Sequence, residues 1–277
     1  MATVLFAGGD ERTLAALDYM QKQGFSTKTY AITHRTETDA TEATALVLPF
    51  PCLKNGRLNA PLIDNPPTLE ELIRETGIDQ TIPVIGGPIA ENPFPRFIDL
   101  SQREDLKLRN AVTTTEGAID LLIRNTPRAI LALPCLVIGY GAIGKRLSAM
   151  LFALGASVTV AARKQKDRTD AELHGYGIQS TDGLDLRGFS AIFNTVPHLL
   201  LTEPRLQQSE TDVRIFELAS APGGCDRGAA QRLNRTVIDG PALPGKVAPV
   251  TAGEDLAKTV IHILLSPKEK GSGTPGT

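Results

Sequence analysis

The sequence predicts an α/β protein of two domains, and three observations carry that reading. Apolar, strand-like runs alternate with helix-periodic segments along most of the chain. Near the middle, Leu136-Val-Ile runs into Gly139-Tyr140-Gly141-Ala142-Ile143-Gly144 and then into the helical stretch Arg146–Leu154. The length of 277 residues is enough for two hydrophobic cores.

Taken in order, Thr3–Ala7 reads as a buried strand. Gly8, Gly9, Asp10, Glu11 and Arg12 follow, and Leu14, Leu17 and Met20 have helical spacing. This strand–turn–helix lacks the full glycine pattern of a dinucleotide site. It places Asp10 and Arg12 at the carboxyl end of a strand, where ligands bind in open α/β sheets; for Arg12 an exposed helix start is the competing reading. Thr27–Ile32, Ala45–Leu48 and Gln80–Ile85 read as strands, Pro49–Pro67 as a surface loop, and Thr68–Arg74 as a helix capped by Thr68. Glu91–Arg109 is expected to hold short irregular elements. Thr113 and Glu116 have capping-box spacing, which predicts a helix start. Its amino end would face a cleft between the domains and offer Thr114, Thr115 and backbone donors to a carboxylate.

The glycine turn then has the context of a dinucleotide site. Gly139 permits the exit from the strand, Gly141 lets the backbone approach a pyrophosphate, and Gly144 brings the helix against the sheet. Ser157–Ala162 supplies the second strand of the βαβ unit. Its end carries no Asp or Glu to hold a ribose 2′-hydroxyl. Instead it reads Ala161-Ala162-Arg163-Lys164, which favours a 2′-phosphate and hence NADP(H), with Lys164 and Arg168 as helpers. Further on, Thr169–Tyr176 reads as a helix and Ser190–Asn194 as a strand, whose end Thr195-Val196-Pro197 would lie over the cofactor. Val213–Leu218 is a strand followed by the small residues Ala219 and Ser220. Ala229–Leu233 reads as a helix and Thr236–Ile238 as a strand. Gly240–Pro249 reads as a shaped loop carrying Lys246, and Thr251–Leu265 as the last helix.

The expected organisation is a substrate (catalytic) domain over 1–110 and an NADP-binding Rossmann domain over 111–250. A helix over 251–266 would pack back on the first domain, and 267–277 would be a disordered polar tail. The net charge of −2 with no long basic run argues against nucleic acid as a partner, and no apolar run is long enough to span a membrane. The N-terminus lacks a basic segment and reads as a strand rather than a signal peptide. Cys52, Cys135 and Cys225, like the four histidines, are scattered without metal-ligand spacing. The three cysteines read as reduced thiols of a cytoplasmic protein, and no metal site is expected.

Several separated pieces together resemble the family of the dipicolinate synthase A-subunit. They are Gly8-Gly9-Asp10 with Arg12, Asn110 through Ala118, Gly139 through Gly144, Ala162-Arg163, and Asn194-Thr195-Val196-Pro197. Glu217 through Ser220 with Pro222-Gly223-Gly224 and Asp226, and Leu243-Pro244-Gly245 with Val247-Ala248-Pro249 and Thr251 through Gly253, complete the set. The loops Pro49–Pro67 and Glu91–Arg109 and the tail depart from it. The resemblance implies two Rossmann-like domains with a cleft between them, related to formate/glycerate and alanine dehydrogenases. It implies NADP-dependent oxidation of a dihydrodipicolinate-type ring from the lysine pathway, or of its hydroxylated tetrahydro precursor, to pyridine-2,6-dicarboxylate. The setting would be the mother cell of a sporulating bacterium, and the partner a flavoprotein-like B-subunit of the same synthase. A homodimer is expected from fold analogy. A flat ring with two carboxylates calls for donors such as Arg12, Thr114–Thr115 and Lys246, and its oxidation for a proton acceptor, with Asp10, Glu116 and His198 as candidates in that order. The competing readings are another two-domain dehydrogenase, acting on a 2-hydroxy acid or a methylene-folate, and a non-catalytic NADP-binding subunit or sensor. Against the 2-hydroxy acid reading, the late histidine His262 lies in the last helix.

Overall fold

In the computed structural model, residues 2–35 and 38–266 are described, and the tail expected over 267–277 lies outside them. The described chain forms two compact units. One runs to Asn110 and resumes at Ala248; the other is Ala111–Val247.

The first unit contains β1 (Thr3–Ala7), α1 (Glu11–Lys22), β2 (Ser26–Tyr30), β3 (Ala45–Val47), β4 (Leu53–Lys54), β5 (Arg57–Leu58), α2 (Leu69–Thr76), β6 (Val84–Gly86) and β7 (Phe97–Asp99). Its five-stranded sheet has the order β2-β1-β3-β6-β7, all parallel, and β4 and β5 form a separate antiparallel hairpin. Alternation along β1 builds two cores. Val4 and Phe6 pack with Leu17 and Met20 of α1, while Leu5 and Ala7 pack on the other side with Leu72. The last described helix, α9 (Pro249–Leu265, numbered with the helices below), returns to this unit and sets Ala257, Val260 and Ile263 in the α1 core. It comes close at Gly253, where a β-carbon would stand 2.3 Å from the Arg12 carbonyl oxygen.

Helix α3 (Glu104–Asn125) runs across the boundary at Asn110. The second unit follows with β8 (Pro134–Ile138), α4 (Ala142–Ala153), β9 (Ser157–Ala161), α5 (Gln165–Leu173), β10 (Gly177–Gln179), β11 (Ala191–Asn194), α6 (Glu203–Leu206), β12 (Arg214–Glu217), α7 (Arg227–Arg232), β13 (Thr236–Asp239) and α8 (Leu243–Val247). Its sheet, β10-β9-β8-β11-β12-β13, is parallel throughout. Counted within the unit this is the 3-2-1-4-5-6 order of a dinucleotide-binding fold, with the winding reversing between β8 and β11. Val137 faces Leu147 and Leu151 of α4, and Leu136 and Ile138 face Leu206, Ala229 and Ala230.

Several elements differ from the sequence-based expectation. Thr113–Glu116 do not start a helix but lie inside α3. The helix begins at Glu104, with Glu104 and Asp105 placing carboxylates in the first turn. A buried Thr one turn before an exposed Glu has the spacing of a capping box, and here it marks two faces of one continuous helix; Thr115 Oγ1 donates to the Ala111 carbonyl at 2.5 Å. Helix α8 replaces part of the Gly240–Pro249 loop, because Leu243 is buried beside Gly117 of α3. The strand expected from Gln80 begins only at Val84, since Asp79 caps a turn through the Thr81 N–H at 2.8 Å. Helix α9 starts at Pro249 rather than Thr251, with proline in its first turn where no N–H is needed. The Pro49–Pro67 loop contains the β4–β5 hairpin, and β10 and α6 add to the elements expected.

Candidate functional site

In the second unit, the carboxyl ends of β8, β9 and β11 surround a cavity of about 320 Å³. Gly139, Tyr140 and Gly141 form one wall, Ala162, Arg163 and Lys164 the second, and Val196, His198 and Leu200 the third. Asp167 and Thr181, which the sequence did not single out, also line it.

The glycine turn is shaped by contact on two sides and open on the third. Gly139 has a φ of +99°, and a β-carbon there would meet Thr195 Oγ1 at 2.3 Å; at Gly144 it would meet the Gly139 carbonyl oxygen at 2.1 Å. At Gly141 it would meet nothing within 4 Å. Gly141 is also the N-cap of α4 and carries no side chain to satisfy the helix N–H groups. The arrangement fits an anion at the start of α4, with Ala142 and Ile143 in its first turn. Thr195 ties the third wall to this turn, its hydroxyl donating to the Ile138 carbonyl at 2.9 Å. Tyr140 is buried, which pushes its phenol up to about 12, and Lys145 lies 5.0 Å above its ring.

Arg163 is exposed on the cavity rim, and neither it nor Lys164 makes a side-chain hydrogen bond or ion pair among the described residues. Arg168, expected to help with a 2′-phosphate, is otherwise engaged. Its guanidinium donates to the Ala162 and Arg163 carbonyls at 2.7 Å each and to Gln165 Oε1 at 2.7 Å, bracing the turn from below. Pro197 and Ser220 are exposed and Ala219 half-buried, none of them on the cavity wall described above.

In the first unit, Asp10 and Arg12 are brought together. Asp10 Oδ1 caps α1 by accepting the Arg12 N–H at 3.0 Å. The Arg12 guanidinium donates back through Nε at 3.0 and 3.1 Å and through its terminal nitrogen at 2.8 Å, and to the Phe50 carbonyl at 3.1 Å. The two ions thus answer each other. The cavity beside them measures about 30 Å³, room for little more than a water. Thr114 is buried within α3, while Glu116 and Lys246 are exposed and make no side-chain hydrogen bond or ion pair among the described residues. Among the described residues no cluster of His, Cys, Asp or Glu is placed to hold a metal, and no helix is long and apolar enough to cross a membrane.

Sequence reasoning missed a buried polar pair beneath the third wall. Asn194 and Glu217 end adjacent strands in register, and Asn194 Nδ2 donates to Glu217 Oε1 at 2.7 Å. Both lie in segments whose motifs are visible in the sequence; only the strand pairing brings them together.

No protein-family model matches the chain. Among curated proteins, the dipicolinate synthase A-subunit of Bacillus subtilis (strain 168) is 32% identical over 178 residues, which cover 64% of this chain and 60% of that protein. The match thus spans less than two thirds of the relative. The corresponding A-subunit from Bacillus halodurans, a solved structure, superposes with a TM-score of 0.87 at 26% identity over 96% of this chain and 98% of that one. The solved dipicolinate synthase A-subunit from Bacillus subtilis shares the fold with a TM-score of 0.83, at 24% identity over 95% of each chain. In sequence and in fold, the chain is similar to the dipicolinate synthase A-subunits.

Proposed function

We propose that the chain is the NADP-binding subunit of a dipicolinate synthase. It oxidises a dihydrodipicolinate-type ring of lysine-pathway origin to pyridine-2,6-dicarboxylate, in the cytoplasm of the mother cell of a sporulating bacterium. It acts as a homodimer, together with a flavoprotein-like B-subunit. The observation that carries this reading is Arg163, an unpaired guanidinium on the rim of the cavity that the glycine turn opens into. A 2′-phosphate would supply the partner that Arg163 lacks among the described residues.

The nicotinamide group, when bound, accepts a hydride. The chain's own residues do the rest. The α4 amino end and Gly141 would hold the pyrophosphate, and Arg163 with Lys164 would hold the 2′-phosphate. Lys246 is an uncommitted cation for a substrate carboxylate, whereas Arg12 is already paired with Asp10. The ring must also lose a proton. Glu116 and His198 are uncommitted acceptors among the described residues, and Asp10 would first have to release Arg12. That closed Asp10–Arg12 pair is the observation favouring the second reading, an NADP-binding sensor whose partner carries the chemistry.

A coupled assay separates the two. The lysine-pathway precursor is supplied, dipicolinate is followed by absorbance or terbium luminescence, and the presence of NADP, NAD and the B-subunit is varied. Dipicolinate formed with NADP by this chain alone, or by both proteins together and lost when Asp10, Arg12 or Glu116 of this chain is replaced, supports the synthase reading; product from both proteins that survives those replacements supports the sensor. No product with either cofactor, despite measurable NADPH binding, overturns it in favour of the sensor.

A further inference from the structure

Beneath the third wall of the nucleotide cavity lies a carboxylate with no cation paired to it among the described residues. Glu217 is 5% exposed and Asn194 fully buried. Glu217 Oε1 accepts from Asn194 Nδ2 at 2.7 Å and from the Ala219 N–H at 3.2 Å, and Oε2 accepts from the Gly224 N–H at 3.0 Å. No Lys, Arg or His forms an ion pair with it among the described residues. At this depth a carboxylate needs donors in place of water, and three N–H groups supply them.

Asn194 passes this order on. Its Nδ2 donates to the Val196 carbonyl at 3.0 Å, and its Oδ1 accepts the Val196 N–H at 3.2 Å. Gly224, fixed by Glu217, presses on the same loop. A β-carbon on it would stand 2.5 Å from Asn194 Nδ2, 2.7 Å from the His198 carbonyl oxygen and 2.8 Å from that of Val196. Val196 and His198 face the cavity; Glu217 does not.

We propose that Glu217 is a positioning residue of the nucleotide pocket. Its carboxylate sets the Asn194 amide on one side and the Gly224 backbone on the other, and together these clamp the wall formed by Val196 and His198. The inference rests on the nucleotide reading of that cavity. Glutamine cannot replace glutamate here, because one end of its amide is a donor and would meet the N–H of either Asn194 or Gly224.

The test is a calorimetric titration of NADPH into the full-length wild type and Glu217→Gln, with amide hydrogen exchange on both. The expected result is binding weakened by about tenfold or more, with faster exchange confined to residues 195–201 and 219–224. The ratio of NADPH to NADH affinity is expected to stay unchanged, since Arg163 is untouched. Wild-type affinity in a folded Glu217→Gln protein overturns the proposal, as does faster exchange spread over the whole sheet, which marks a merely structural role. A wild type that binds no dinucleotide overturns the pocket reading and this inference together. Should Glu217→Gln fail to fold, Gly224→Ala crowds the same wall without touching the charge. Weaker NADPH binding with the same local exchange then supports the proposal, and unchanged binding overturns it.

Discussion

Gly144 lies so close to Gly139 that a β-carbon on it would stand 2.1 Å from the Gly139 carbonyl oxygen. The obstacle is backbone, so no side chain can move aside. Gly144→Ala is therefore expected to destabilise the protein by about 1–3 kcal/mol and to abolish dinucleotide binding. Gly141→Ala is the informative contrast. Its backbone suits any residue, at φ −79°, and apart from its own chain neighbours and helix backbone no atom of the described residues lies within 4 Å of the added carbon. It should cost no more than about 1 kcal/mol as a poorer helix cap, yet it should weaken NADPH binding markedly by intruding on the space of the ligand. Thermal melts and NADPH titrations of the two variants check both statements.

The Asp10–Arg12 pair makes a separate prediction. Asp10 caps α1 and binds the Arg12 guanidinium through both oxygens. Asp10→Ala removes both and should lower stability by about 1–2 kcal/mol in urea denaturation. Asp10→Asn keeps the cap and should lose less. Equal losses for the two would show that the cap carries nothing.

On the first unit, stability should depend on Glu75 in acid. Its carboxylate accepts from the Tyr30 hydroxyl at 2.7 Å and from Arg35, and Arg35 holds it down to about 2 against an ordinary 4.5. The folded value lies below the unfolded one. The contribution is therefore complete above about pH 4.5 and is lost as pH falls toward 2. The Tyr30 phenol, pushed up to about 12 by burial and by Glu75, acts at the other end. Its contribution is complete below pH 10 and is lost as pH rises toward 12. Glu75→Gln should flatten the acid limb of a stability–pH profile and leave the neutral plateau lower; an unchanged acid slope would contradict this.

What was legible in the sequence followed from local chemistry. The strand–turn–helix at Gly139–Gly144 and the Thr68 cap each need only neighbouring residues, and each stands in the structure as read. Two of the failures share a cause, that burial by distant residues outweighs local signals. The Thr113–Glu116 pattern looks like a helix start until α3 is seen to continue through it, and Gly240–Pro249 looks like a loop until Leu243 is seen buried beside Gly117. Asn194 and Glu217 both lie in recognisable motifs, but their pairing depends on β11 and β12 being neighbours in register. Arg168 looks available for a phosphate because its three hydrogen bonds to the turn cannot be read from spacing.

The central claim is that Arg163 reads a 2′-phosphate, and a binding titration tests it most directly. NADPH and NADH are titrated into wild type and Arg163→Ala. Losing a phosphate contact should cost on the order of 1.5–3 kcal/mol. Wild type is therefore expected to prefer NADPH, and Arg163→Ala to lose about ten- to a hundredfold in NADPH affinity while NADH binding stays nearly constant. Equal losses for both dinucleotides, or a wild type that prefers NADH, would contradict the account.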